Sequence, residues 1–289
     1  MKSYLACSSV VTEKSFEEFL LLDYSISQFH DVKWYLSTDP YSYERIKAMG
    51  DKYNCLLNIE SDKKVNHHGE ATSEDQKIAF MDVVKTKLFA SRYGLESGEE
   101  FILFMDTDII FVNPIEDKVL KLFKNKDIHG FVCPHSTDNH SNEAKVGFFN
   151  SGMYATSSFE FLDSWIALNE RSLELNLFCD QKPLEIIYRD FLTVNLPMNY
   201  NVGFWKMNEQ HNSWRYQHLG LNESKEFVFL GKNVIFLHAH TFKKLHYVNY
   251  GSFLIEKMLL CLDNAGKEEY NNILDFMSKM SLEKFYEIY

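Results

Sequence analysis

Apolar residues recur along this chain in two rhythms, short unbroken runs and longer stretches with a helical period, and their order predicts strands alternating with helices. Tyr4 to Val11 predicts a first strand ending in the small polar pair Ser8 and Ser9, and Glu13 to Phe29 a helix. Val32 to Ser37 predicts a second strand closing at Thr38-Asp39-Pro40, followed by a helix over Tyr43 to Tyr53 and a third strand near Cys55 to Ile59. Repeated strand-helix steps imply an α/β fold with a mostly parallel, doubly wound sheet and helices on both faces. The polar stretch Ser61 to Glu74 predicts a loop, a candidate mobile lid, before a long amphipathic helix from Asp75 to Tyr93. Later come a strand around His129 to Cys133, a polar loop from His135 to Lys145, and an apolar segment from Val146 to Thr156 that Asn150-Ser151-Gly152 interrupts. Ser252 to the end reads as two helices split at Asn264-Ala265-Gly266.

The densest apolar run carries the most chemistry. In Phe101 to Pro114, FILFMDTDIIFVNP, strand formers deliver Asp106 and Asp108 with Thr107 between them. On an extended chain residues i and i+2 share a side, so the two carboxylates are expected to converge. Paired hard oxygen ligands at the end of a buried strand suit Mg²⁺ or Mn²⁺, above all a cation that also holds nucleotide phosphates. Buried acids without such neutralisation would destabilise the fold. A solvated Asp-x-Asp turn is the competing reading.

A formal net charge of −11 argues against a nucleic-acid partner, whose phosphates demand clustered Lys and Arg. Five scattered cysteines without CxxC spacing suggest neither a disulfide framework nor a zinc site, and point to a reducing cytoplasm. The N-terminal residues are too polar for a signal peptide, and no window has the apolar length of a membrane span. With 289 residues the chain has length for one large α/β domain with a C-terminal helical extension.

The Asp-x-Asp motif behind an apolar strand, in a chain opening with strand, helix and strand, resembles the GT-A fold of nucleotide-sugar glycosyltransferases. Four further segments fall in the order of glycosyltransferase family 8, the retaining glycogenin-like and galactosyltransferase-like group. Val84-Lys85-Thr86-Lys87-Leu88 lies where that family carries a basic residue near the donor, with Lys85 or Lys87 at the matching position. Phe149-Asn150-Ser151-Gly152-Met153 is similar to its Asn-x-Gly segment, which lines the donor sugar. Asp180-Gln181 resembles its pair beside the anomeric centre, and Leu196 to Asn201 the segment that follows. Phe236-Leu237-His238 with Lys244 six residues on resembles the histidine of the metal site and the lysine on the leaving diphosphate. After His238 the run Ala239 to Tyr247 departs from the family's Gly and Lys-Pro-Trp.

The resemblance implies a catalytic domain over residues 1–250, and the helical pattern of residues 251–289 reads as an extension packed on the same domain. It implies Mn²⁺ or Mg²⁺ on Asp106, Asp108 and His238, and catalytic roles for Asp180, Gln181 and Lys244. Donor contacts are expected from Ala6, Ser8, Asp39, Lys85, Lys87, Asp106, Thr107, Asn150, Ser151 and Gly152. The partners would be a nucleoside-diphosphate sugar, most often a UDP-sugar in such enzymes, and a carbohydrate acceptor reached from the loop at His135 to Lys145, with retention of configuration. Plain structural readings compete: a solvated helix face for the lysines, an ordinary turn at Asn150 to Gly152, and a helix cap for Asp180. Strand alternation lets at most one of His238 and His240 face the carboxylates. A haloacid-dehalogenase-type phosphatase with Asp106 as nucleophile, or a sugar-nucleotide binding module without turnover, are the alternative functions.

Overall fold

The computed structural model of the chain describes residues 2–60, 73–135, 147–175, 177, 180–206, 213–238 and 248–280. Among them seven strands form the main sheet. These are β1 (Ser3–Val11), β2 (His30–Thr38), β3 (Tyr53–Leu57), β4 (Ile102–Met105), β6 (Gly130–Pro134), β7 (Phe149–Thr156) and β8 (Thr193–Asn195), in the order β3-β2-β1-β4-β7-β6-β8. All contacts between neighbours are parallel except those of β7, which runs against both β4 and β6.

A second sheet pairs β5 (Ile109–Phe111), β13 (Phe236–His238) and β9 (Val202–Gly203). A third joins β10 (Leu219–Leu221), β11 (Phe227–Phe229) and β12 (Lys232–Asn233).

Helices cover the main sheet because its strands are apolar on both faces. The first, α1 (Phe16–Ser27), lays Phe19, Leu22 and Ile26 against Trp34, Leu103 and Met105 in one cluster. On the other face α3 (Glu74–Glu96) contributes Leu88 and Leu95 to a cluster with Phe104, Tyr154, Phe161 and Trp165. Trp165 comes from α5 (Phe159–Glu170), while α4 (Asp117–Phe123) seats Phe123 in the first cluster. The closing helices α7 (Val248–Ala265) and α8 (Glu268–Lys279) bury Leu254, Met258, Leu262 and Ile273 with Ile110, Phe227 and Leu237. The Phe276 ring of α8 also stacks on Tyr24 of α1 at 4.1 Å. No helix among the described residues is long and apolar enough to cross a membrane.

Several elements differ from their sequence expectation for local reasons. The helix expected over Tyr43 to Tyr53 is α2 (Pro40–Lys47), because Pro40 suits a first helical turn and the Asp39 side chain accepts from the Ser42 amide. Tyr53 is thereby left to begin β3. Ser8 and Ser9 do not end β1, since Ser8 bonds the Ser91 hydroxyl and Ser9 donates to the Met105 carbonyl, so both hydroxyls are satisfied inside the core. Asn150-Ser151-Gly152 does not break the chain either. These residues lie within the unbroken strand β7, opposite a register shift between Val132 and Cys133. Of the candidate lid Ser61 to Glu74, residues 61–72 lie outside the described residues, as does most of the loop from His135 to Lys145, while Ser73 caps α3 and Glu74 begins it.

Candidate metal and donor site

Asp106, Thr107 and Asp108 form a turn between β4 and β5, not part of one strand. The alternation of an extended chain is therefore not what brings the carboxylates together. The turn hands the backbone from the main sheet to the second sheet, and β13 pairs there antiparallel to β5 with His238 opposite Ile109. The side chains of Asp106, Asp108 and His238 thus offer ligand atoms that all lie within 4.8 Å of one another. His238 Nε2 stands 3.0 Å from Asp108 Oδ1, and both residues are buried. Asp106 keeps 36 % side-chain exposure and is the candidate ligand that faces solvent. Two carboxylates and an imidazole in so small a space match the donor set of Mn²⁺, or of Mg²⁺ with further oxygens from a substrate.

The neighbouring backbone is shaped to this cluster. The Asp106 amide donates to the Gly152 carbonyl at 2.8 Å, which fastens the turn to β7. A Cβ on Gly152 would lie 2.5 Å from Asp106 Oδ2, 2.5 Å from the Cε1 of His238 and 2.9 Å from Asn150 Oδ1. Only glycine fits there. Trp205 closes one side, its ring edge-on to His238 at 4.9 Å between centroids.

Beside the cluster lies a buried ion pair. Lys87 Nζ donates to Asp180 Oδ2 at 2.5 Å and stands 3.9 Å from Asp106 Oδ1, over the Phe104 ring at 5.2 Å. Burial alone would raise the Asp180 pKa; the Lys87 ammonium and the Ser151 hydroxyl outweigh it and hold the carboxyl below its ordinary value. Asp180 occupies the N-cap of α6 (Gln181–Ile187) without capping it, because its side chain is turned to Lys87 and Ser151 instead. The adjacent Gln181 Oε1 is buried with no hydrogen-bond partner among the described residues.

Other expected site residues fall at varying distances from this centre. Lys85 turns away to Asp82 at 3.1 Å, so of the two candidate lysines Lys87 enters the cluster. Thr107 directs its hydroxyl to Glu18 at 3.4 Å. Ala6 and Ser8 are buried in β1, and the two oxygens of Asp39 accept from the Ser42 and Glu13 amides. Lys244 and His240 lie outside the described residues.

Three residues at the site had no role assigned from sequence: His135, Asn201 and Trp205. His135 is buried, which lowers its pKa to about 4 and keeps the ring neutral; its Nδ1 meets the Gly147 carbonyl at 3.0 Å. Asn201 bonds both Asn150 and His238. Asn201 ends the Leu196 to Asn201 segment of the resemblance, but nothing in the spacing gives any of the three its own role, because each reaches the centre through strand pairing and loop return.

Similarity to solved structures is extensive in shape and slight in sequence. The glycosyltransferase GlyE of Streptococcus pneumoniae TIGR4 matches at 14 % identity and a TM-score of 0.52 over 96 % of this chain. Mouse xyloside xylosyltransferase 1, in its apo form, matches at 11 % identity and 0.51, covering 81 % of this chain and 97 % of that protein. The galactosyltransferase LgtC, in complex with donor and acceptor sugar analogues, matches at 12 % identity and 0.53, covering 93 % of this chain and all of the other. The chain has the GT-A glycosyltransferase fold. It spans 64 % of the length of GlyE. No protein-family model matches the sequence, and no curated protein does. At these identities the GT-A likeness concerns architecture, and the chemistry rests on the residues above.

Proposed function

We propose that this protein is a metal-dependent glycosyltransferase, moving a sugar from a nucleoside-diphosphate sugar to a carbohydrate hydroxyl. A UDP-sugar donor and retention of configuration follow from the family resemblance of its motifs. The observation that carries the reading is the position of Asp106: it belongs to the Asp106, Asp108 and His238 cluster, and its Oδ1 stands 3.9 Å from Lys87, which holds Asp180. A cation site and a buried, ionised carboxylate are thus neighbours, as departure of a diphosphate from an anomeric carbon requires. Nothing in the similar structures supports the phosphatase reading.

Asp106, Asp108 and His238 would hold Mn²⁺ or Mg²⁺, which when bound supplies positive charge to the departing diphosphate. The remaining roles belong to the chain. Lys87 keeps Asp180 anionic, so a negative charge is in place where positive charge develops on the sugar ring. Gln181 brings a buried acceptor oxygen next to Asp180, suited to a sugar hydroxyl. Gly152 lets Asp106 and His238 approach β7 without a side chain between them. Lys244 is assigned to the leaving diphosphate by resemblance alone. The free thiols of Cys7, Cys55, Cys133 and Cys261 agree with the cytoplasm as its place of work.

The test is a panel of nucleotide sugars and nucleoside diphosphates with Mn²⁺, read by thermal shift and by donor hydrolysis. Stabilisation by one nucleoside diphosphate, with hydrolysis of its sugar, identifies the donor. No response to any of them would remove the reading.

A further inference from the structure

Between the metal cluster and the far end of β6 runs a line of hydrogen-bonded side chains, two of which, Asn201 and His135, have no role in the reading above. It consists of His238, Asn201, Asn150 and His135, all buried. His238 Nδ1 lies 3.1 Å from Asn201 Oδ1, and Asn201 Nδ2 donates to Asn150 Oδ1 at 2.8 Å. Asn150 Nδ2 faces His135 Nε2 at 3.3 Å, and His135 Nδ1 meets the Gly147 carbonyl at 3.0 Å.

The direction of this line is fixed by two backbone groups that have no choice, one at Asn150 and one at its His135 end. The Gly152 amide can only donate, and it does so to Asn150 Oδ1 at 3.1 Å, which sets the orientation of the Asn150 side chain. The Gly147 carbonyl can only accept, so His135 carries its proton on Nδ1 and offers a lone pair on Nε2 to the Asn150 amide. The two groups agree. With Asn150 Oδ1 accepting, Asn201 must present Nδ2 to it and turn Oδ1 to His238. A carbonyl oxygen only accepts, so His238 Nδ1 carries a proton, and Nε2 is the nitrogen turned to Asp108.

We propose that Asn201 is the positioning residue of the metal site: it holds His238 as the Nδ1–H tautomer, with Nε2 presented to a divalent cation between Asp106 and Asp108. The inference deepens the metal-dependent reading above and rests on it. The backbone explains why asparagine stands here. Asn201 has φ of 54°, a left-handed conformation open to glycine and asparagine and costly for most side chains. Lys206 holds that turn from inside, donating to the Met198 and Tyr200 carbonyls at 3.1 and 3.4 Å. An asparagine in this conformation reaches two partners at once. A ligand histidine whose second nitrogen is held in this way keeps both ring orientation and basicity, and loss of the holder costs about 10- to 100-fold in metal affinity.

Asn201→Gly tests this cleanly, because glycine accepts the left-handed backbone and removes only the side chain. Mn²⁺ is titrated by electron paramagnetic resonance, with and without uridine diphosphate, and the ring nitrogens of His238 are observed by ¹⁵N resonance. The expected result is Mn²⁺ binding weakened about 10- to 100-fold in Asn201→Gly with an apo melting curve still cooperative. Wild type loaded with Mg²⁺ should show a proton on Nδ1, and the variant should lose that single tautomer. Wild-type binding of Mn²⁺ with Asn201→Gly within twofold of it would overturn this inference alone. Wild type that binds no Mn²⁺ in either arm would remove the metal site, and this inference with it. Should Asn201→Gly fail to fold, the wild-type spectrum decides: a proton on Nε2 in the Mg²⁺-loaded protein rejects the proposal.

Discussion

Lys87 and Asp180 form a buried ion pair in which each neutralises the other, and it is Asp106 that joins this pair to Asp108 and His238. Removing the lysine would strand a carboxylate inside the protein. Lys87→Met is expected to destabilise the fold by about 3 kcal/mol near neutral pH, the cost of leaving one partner of a buried pair alone.

The loss should depend on pH in a defined direction. Asp180 is held below its ordinary value in the folded state, so its contribution is complete above the unfolded value, about 4, and disappears as pH falls through the lowered one. The gap between wild type and Lys87→Met should therefore be widest at neutral pH and close in acid. Melting curves from pH 7 downward measure it, and a gap that stays constant would mean that Asp180 is not the group concerned.

Gly152→Ala should damage the site more than the fold. The added methyl meets Asp106, His238 and Asn150 together, so the Asp106 and His238 side chains must spread. Mn²⁺ affinity is expected to fall by about tenfold or more, the scale of a disturbed metal support, and calorimetric titration reads it directly. Unchanged affinity would show that Asp106 and His238 move apart at no cost.

Mn²⁺ itself should raise the melting temperature. At a concentration 100 times its dissociation constant, a cation bound only by the folded state adds about 2.7 kcal/mol, which is about 5 to 10 °C for a chain somewhat shorter than this one. Chelation should reverse the shift. Asp108→Ala should abolish it, because Asp108 is fully enclosed beside His238, whereas Asp106→Ala should reduce it, since Asp106 stands at the solvent edge. A shift that survives in Asp108→Ala would place the cation elsewhere.

The C-terminal helices offer a control away from the chemistry. The Tyr270 hydroxyl donates to Asn113 Oδ1 at 2.9 Å and accepts from the Phe227 amide at 3.3 Å. Tyr270→Phe leaves both polar groups buried with one partner fewer, so a loss of about 1 to 3 kcal/mol is expected in urea unfolding. Mn²⁺ affinity should not change, and a change would link these helices to the site.

The sequence made the strand-helix order, the Asp-x-Asp motif and the split C-terminal helix pair legible, because each rests on local periodicity and turn chemistry. The reversal of β7 was not legible, since an apolar run reads the same in either direction. Asn150 to Gly152 carried the polar and glycine signature of a turn, yet partners from β6 and from the Asp106 turn keep them in a strand. Lys85 and Lys87 were indistinguishable until α3 was seated, when only Lys87 pointed inward. Asn201 and His135 reach His238 from distant parts of the chain, and single-sequence spacing holds no record of such meetings.

The turn at Asp106 to Asp108 hands the chain from one sheet to another, and His238 comes back to it from the second sheet's central strand. A cation there would act as a staple. It would close the long stretch of chain between Asp106 and His238, and that stretch includes β6 to β12 together with the helices between them. Only the folded chain offers all three ligands at once, so the free energy of binding the ion would oppose separation of the two sheets and strengthen the seam between them as well as the chemistry performed on it. The second sheet should then be the part of the molecule whose amide protons gain most protection when Mn²⁺ is added, and the first to open when it is withdrawn.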